Sequence, residues 1–233
     1  MNIGIIECGP VPEALRGTYV SYPAMFAAQL APLLPFASFE TVSVVNGETL
    51  TAPEAQDAWL LTGSRHGVYD DLPWIAPLKD FIRAAAGVRR PLVGVCFGHQ
   101  ILAEALGGQV EKAPVGWRVG LERYTTTLGG GAERTVAMPA FHQDQVVVPP
   151  PGSEVVASSP ACAYAALRYA YAPILSVQFH PEFSRPYLAD LIDVLAKQDA
   201  APGLPPDAAP DEAGDDTGMR WIAGFLAEQW AAA

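Results

Sequence analysis

Cysteine is scarce in this chain. The three present, Cys8, Cys96 and Cys162, stand far apart, form no C-x-x-C pair and exclude a disulfide framework. An odd number of isolated thiols fits a reducing compartment, where a special cysteine is more often catalytic than structural. No apolar run approaches the roughly 20 residues that span a bilayer. The opening MNIGIIECGP has no cationic segment and turns at Gly9-Pro10 too soon for a secretory signal. The chain therefore reads as cytoplasmic. Positive charge is also scarce: 14 Lys and Arg face 25 Asp and Glu, a formal charge of −11. That balance argues against nucleic acid or an anionic membrane as partner. No G-x-x-x-x-G-K-[ST] loop or other nucleotide motif occurs. No cluster has metal-ligand spacing, so neither a metal nor a cofactor is called for.

What is abundant is hydrophobic residues, at 50% of 233, which excludes a disordered chain and allows one large domain with an appendage. Acid concentrates in one place. Asp199, Asp207, Asp211, Glu212, Asp215 and Asp216 lie in a Pro/Ala-rich stretch without Lys or Arg, the composition of a solvated linker. The expected organisation is a main domain over 1–197, this linker over 198–217, and a C-terminal amphipathic helix over 218–233. In that helix Trp221, Ile222, Phe225, Leu226 and Trp230 recur at helical spacing. The helix either docks on the main domain or binds a partner.

Short apolar runs at 2–6, 39–45, 58–61 and 92–95 alternate with helical patterns at 22–34, 74–86 and 99–106. Runs that are apolar throughout, rather than alternating, argue for a parallel sheet covered on both faces. From 110 to 177 short alternating runs between Gly and Pro (119–127, 146–148, 155–157, 163–169, 174–178) read as antiparallel strands. A helix is expected over 186–197.

Sites in open α/β sheets lie beyond the carboxyl ends of the strands, which is where Cys96 falls. Gly94-Val95-Cys96-Phe97-Gly98 has the G-x-nucleophile-x-G form of a strained strand-to-helix elbow. On this stretch alone Cys96 is either a nucleophile or a buried spacer. A thiol nucleophile needs a base, and the base an orienting group. His99 follows the elbow on the helix and points away from the thiol. His180, in QFHPEF, is better placed: residues two apart in an extended segment share a side, so Glu182 can meet His180 across the stiff Pro181. Cys8 reads as packing and Cys162 as a loop residue.

Together the elbow VCFGHQILAEALGG, the segment QFHPEF and the loop LTGSRHGVYDD resemble the class I, triad-type glutamine amidotransferases, above all stand-alone proteins similar to the glutaminase domain of GMP synthase. The resemblance covers about 2–195. It implies a flavodoxin-like three-layer α/β sandwich with a mostly parallel central sheet and an added antiparallel section. It also implies that Cys96 attacks a glutamine side-chain amide to form a thioester and release ammonia, with His180 as base and Glu182 orienting it. The oxyanion donors implied are the backbone N–H groups of Phe97 and of Gly63 or Ser64, and Gln100 matches a position that holds substrate. His142 and Asp144, in AFHQDQV, match a His-x-Asp near the glutamine site or form an ordinary surface turn. Arg65, His66, Tyr69 and Asp70 lie in the loop beside the donors.

Three functions stay open at this stage. One is an enzyme taking ammonia from glutamine, with a separate synthetase as acceptor. The second is a peptidase cleaving glutathione-like γ-glutamyl compounds. The third is a non-catalytic regulatory protein of the same fold.

Overall fold

The computed structural model describes residues 1–130, 132–197 and 217–232. In chain order the elements are β1 (Asn2–Glu7), α1 (Arg16–Tyr19), α2 (Tyr22–Leu30), β2 (Ser38–Ser43), β3 (Ala58–Leu61), α3 (Ile75–Gly87), β4 (Leu92–Val95) and α4 (Phe97–Ala105). There follow β5 (Gln109–Lys112), β6 (Arg118–Thr126), β7 (Arg134–His142), β8 (Asp144–Val148), β9 (Ser153–Ser159), β10 (Cys162–Tyr169) and β11 (Ile174–Val177). Two helices, α5 (Arg185–Lys197) and α6 (Thr217–Ala231), complete the chain.

The central sheet has nine strands in the order β2-β1-β3-β4-β11-β10-β9-β6-β7. From β2 to β11 neighbours run parallel, and from β11 to β7 they run antiparallel. The antiparallel section is thus a continuation of the same sheet, joined through β11. Among the described residues, only β5 and β8 pair apart from it.

The apolar strands of the parallel half follow from the layers around them. Successive side chains point to opposite faces, and here both faces are buried. Ile3, Ile5, Ala58, Leu60, Val93, Val95, Leu175 and Val177 enter one core, with Phe26 and Leu30 of α2 and Met219, Ile222 and Leu226 of α6. Ile6, Trp59, Leu61, Leu92 and Ile174 enter the other, with α3 and α4. A polar residue at any of these positions would be buried without a partner, so alternation disappears from the sequence.

Several sequence expectations are corrected. Residues 134–142, read as no element, form the nine-residue β7. Its burial does not alternate cleanly and Pro139 interrupts it, which an edge strand tolerates because Pro lacks only a ladder donor. Cys162 opens β10 and is buried, so it is no loop residue. The first long helix stops at Leu30 rather than 34, just before Pro32, since Pro cannot continue the backbone ladder. Of the acidic stretch 198–217, only Thr217, the first residue of α6, falls among the described residues. Among the described residues no helix is long and apolar enough to cross a membrane.

Leu226 is fully buried against both α2 and the sheet. Leu226→Ala should lower stability by about 2–5 kcal/mol, read as a lower guanidinium midpoint at unchanged slope. A change below about 0.5 kcal/mol would mean that α6 rests on the surface.

Candidate active site

Strand β4 ends at Val95, and α4 begins at Phe97 with Cys96 as its N-cap at φ 53° and ψ −105°. That conformation disfavours any residue with a β-carbon. The close approach of strand and helix around it depends on two glycines. A β-carbon on Gly98 would run into the carbonyl of Leu61 on β3, and one on Gly94 would meet the Gly98 oxygen at 2.5 Å. The Cys96 N–H donates to the Val177 carbonyl at 2.9 Å, tying the elbow to β11. The thiol is 6% exposed and lies 4.0 Å from the Phe141 carbonyl oxygen of β7.

His180 arrives from the neighbouring strand. β11 is in register with β4, Val177 opposite Val95, so the chain that leaves it passes beside the elbow. The His180 N–H donates to the Pro139 carbonyl at 2.8 Å. Its Nδ1 lies 2.8 Å from Glu182 Oε1, both side chains buried. One face of the ring is covered by Phe183, 3.9 Å between centroids and 10° from parallel. A β-carbon on Gly63 would touch both the His180 ring and the Cys96 side chain, so the two share one wall of the cleft.

Burial alone would push the His180 imidazole down. The electrostatic pull of Cys96 and of Glu182, with the Glu182 hydrogen bond, outweighs it and raises the ring to about 10. The pocket thereby favours the protonated ring, the form that carries the proton a leaving amine requires.

Gly63 closes the cleft on the β3 side. A β-carbon there would come 3.1 Å from His180 Cε1 and 3.8 Å from Cys96 Cβ, so the loop backbone itself faces the thiol. Phe97, as first residue of α4, carries one of the N–H groups that a helix leaves unpaired. Gln100 is 3% exposed, and its amide nitrogen donates to the Asp144 carbonyl and to Gln178 Oε1 at 2.8 and 3.1 Å. Both its N–H donors are thereby engaged within the protein.

His142, the last residue of β7, is 3% exposed, so the surface-turn alternative is excluded. Burial above all, and then the charge of His180, lower its imidazole to about 3. His99 is likewise buried and lowered to about 3 by burial. Its Nδ1 lies 2.8 Å from Ser176 Oγ of β11. In the loop, Tyr69 donates to Asp144 Oδ2 at 2.7 Å, which bridges the loop after β3 to the start of β8. His66 pairs with Asp70 at 3.6 Å, and Arg65 is exposed.

Behind His180 stands an aromatic bracket that the sequence pattern did not signal. Phe183 stacks near Tyr22, 5.9 Å between centroids, and meets Tyr187 edge-on at 4.6 Å. Tyr187 and Tyr22 share a hydrogen bond at 2.8 Å. Burial above all pushes the Tyr22 hydroxyl up, and the charges of Glu182 and Cys96 add to it, so Tyr22 stands within the field of the site. Tyr22 comes from α2, a helix whose sequence pointed only to packing.

The family profile described as "Glutamine amidotransferase class-I" matches residues 44–187. The chain belongs to that family. Among curated relatives, this amidotransferase-family chain is 30% identical over 203 residues to a protein of Arabidopsis thaliana named gamma-glutamyl peptidase 4, covering 80% of this chain and 78% of the other. It is 40% identical over 97 residues to the GMP synthase [glutamine-hydrolyzing] of Caldanaerobacter subterraneus, covering 40% of this chain and 19% of that protein. Among solved structures, a glutamine amidotransferase from Thermotoga maritima superposes with a TM-score of 0.77 at 18% identity, over 98% of this chain and 97% of the other. One from Methylobacillus flagellatus gives 0.74 at 20% identity, over 99% and 94%. These two establish the class I amidotransferase fold.

Glu182→Gln removes the carboxylate beside His180. The His180 titration, followed by nitrogen-15 NMR of the ring, should fall by about 1–3 units. Because the folded value lies above the free one, this charge stabilises the fold fully below about pH 6.5. The contribution is lost as pH rises through about 10. An unchanged titration in the variant would break the pairing.

Proposed function

We propose that this protein hydrolyses γ-glutamyl amides through a Cys96 thioester. The observation that carries the reading is one juxtaposition: a thiol at a positive-φ elbow that shares a cleft wall with His180, whose Nδ1 lies 2.8 Å from Glu182. Cys96 Sγ attacks the γ-carbonyl carbon, and the carbonyl π pair moves onto the oxygen. The N–H groups of Phe97 and of Gly63 or Ser64 stabilise that oxyanion, and losing one such donor typically costs about 10²–10³ in rate. The C–N bond then breaks as the imidazolium of His180 passes its proton to the leaving nitrogen. Water, deprotonated by His180, attacks the thioester, the C–S bond breaks, and glutamate leaves. Glu182 holds the tautomer and the charge of His180 throughout. His142, Asp144 and the Oε1 of Gln100 line the substrate side.

With glutamine as substrate the leaving group is ammonia, and the likeness to GMP synthases supports a synthetase as its acceptor. A second reading keeps every step and changes what leaves. The match to gamma-glutamyl peptidase 4 extends over most of both chains, which supports an amine-bearing γ-glutamyl compound as substrate. A non-catalytic role is disfavoured by the paired and buried Cys96, His180 and Glu182.

Two measurements test this. Ammonia release from glutamine, set against amine release from γ-glutamyl dipeptides, decides the leaving group. A glutamine-derived chloroketone should label the protein, and Cys96→Ser should abolish the labelling. Labelling that persists on Cys8 or Cys162 would overturn the assignment.

A further inference from the structure

The corner His180-Pro181-Glu182 is held from three sides. β7 holds it through the His180 N–H to Pro139 carbonyl bond at 2.8 Å, and α2 through the Gln29 amide donating to the Glu182 carbonyl at 2.8 Å. The third contact comes from α6, beyond the residues that the family profile matches. Gly218, in the first turn of α6, is buried. A β-carbon there would lie 2.9 Å from Pro181 Cβ and 3.2 Å from Met138 Sδ, so the helix backbone rests directly on the proline between base and orienting group. Further along, α6 is pinned: Met219, Ile222 and Leu226 are 0–1% exposed. Trp221 lies edge-on to Phe179, 6.3 Å between centroids, beneath the guanidinium of Arg134 at 5.5 Å. Trp230 stacks on Phe36 at the far end, 6.4 Å away.

We infer that α6 is a positioning element of the active site, and that Gly218 is the residue through which it acts, by seating Pro181 so that His180 and Glu182 keep their hydrogen bond. This rests on the roles given to His180 and Glu182 above. The physical argument is one of stiffness. Pro181 has a fixed φ and stands one residue from each partner, so a displacement of its ring reaches both. An added methyl at 218 cannot be absorbed by Met138 alone, because its closer clash is with Pro181 Cβ, at 2.9 Å. A helix anchored by Met219, Trp221, Ile222 and Leu226 recedes less easily than a short corner does.

The helix supplies its own control. Gly224 sits on the same helix with nothing within 4 Å of the place a β-carbon would take, so Gly224→Ala adds the same methyl in open space. Trp230→Ala loosens the distal end without touching Pro181. Gly218→Ala should lower kcat about tenfold, given that displacements near 1 Å can remove a hundredfold, with KM within about twofold. It should also move the His180 titration down by about one unit, toward the free value. Gly224→Ala should leave both unchanged, and Trp230→Ala should lower the melting temperature without moving the titration.

A Gly218→Ala protein with wild-type kcat and His180 titration overturns the inference, since the first turn of α6 has then yielded instead. Equal kcat losses in Gly218→Ala and Trp230→Ala, in proportion to lost stability, overturn it too. If the wild-type protein cleaves no γ-glutamyl amide, the proposed function fails, yet the His180 titration of the three variants still decides the role of Gly218.

Discussion

A side chain with a β-carbon held at φ 53° stores strain on the order of 1–3 kcal/mol, and much of the active-site architecture follows from keeping Cys96 there. The strain persists only because its surroundings over-determine the turn. Above it, Gly98 lies against the Leu61 carbonyl; beside it, the Val177 carbonyl receives the Cys96 N–H. Ahead of it, Val93 and Val95 are fully buried in the core that α2 and α6 cover. Relaxing the turn would break a sheet contact, a helix contact and a hydrogen bond together. In return, the thiol is lifted out of the strand direction toward the cleft and away from the helix it begins.

The charges that the thiol needs are placed by the same sheet. β11 lies beside β4 in parallel register, so residues past the end of one reach residues past the end of the other. It is also where the sheet changes from parallel to antiparallel. From the antiparallel side comes β7, whose Pro139 carbonyl anchors His180 and whose Phe141 carbonyl approaches the thiol. The site therefore sits at a seam, with nucleophile and base from the parallel half and backbone anchors from the other. Among the described residues, one oxygen of Glu182 is buried without a partner. Such a group is destabilising in a folded protein, and its persistence beside His180 fits a role in charge rather than in packing.

Much of this was legible in the sequence for stated reasons. Strands buried on both faces are apolar throughout, so β1, β3, β4 and β11 stand out between glycines and prolines. The elbow is legible because Gly94 and Gly98 are sterically required, and the His180-Glu182 pair because it is local in the chain. β7 was not legible: an edge strand with one shielded face tolerates Arg134, Thr135 and Pro139, and its periodicity fades. The bracket of Tyr22, Phe183 and Tyr187 was illegible for a different reason. It joins α2 to α5 across nearly the whole chain, and an aromatic at helical spacing looks the same whether it faces a core or an imidazole.

The same reasoning separates the two ends of the C-terminal helix. Its apolar spacing left docking and partner binding open, and Ile222 and Leu226 lie in the core beneath the parallel strands. The residue nearest the chemistry, however, is Gly218, which contributes nothing to a hydrophobic pattern. Close approach of backbone to a functional corner selects for the absence of a side chain, and an absence has no periodicity. Gly63 follows the same logic from the opposite wall, where a β-carbon would crowd the ring of His180. The base is thus bounded by the backbone at Gly63 and by the flat face of Phe183, while the backbone at Gly218 rests on the proline that follows it. With Nδ1 engaged by Glu182, little rotational freedom remains to His180 except toward Cys96, the direction in which the proton has to travel.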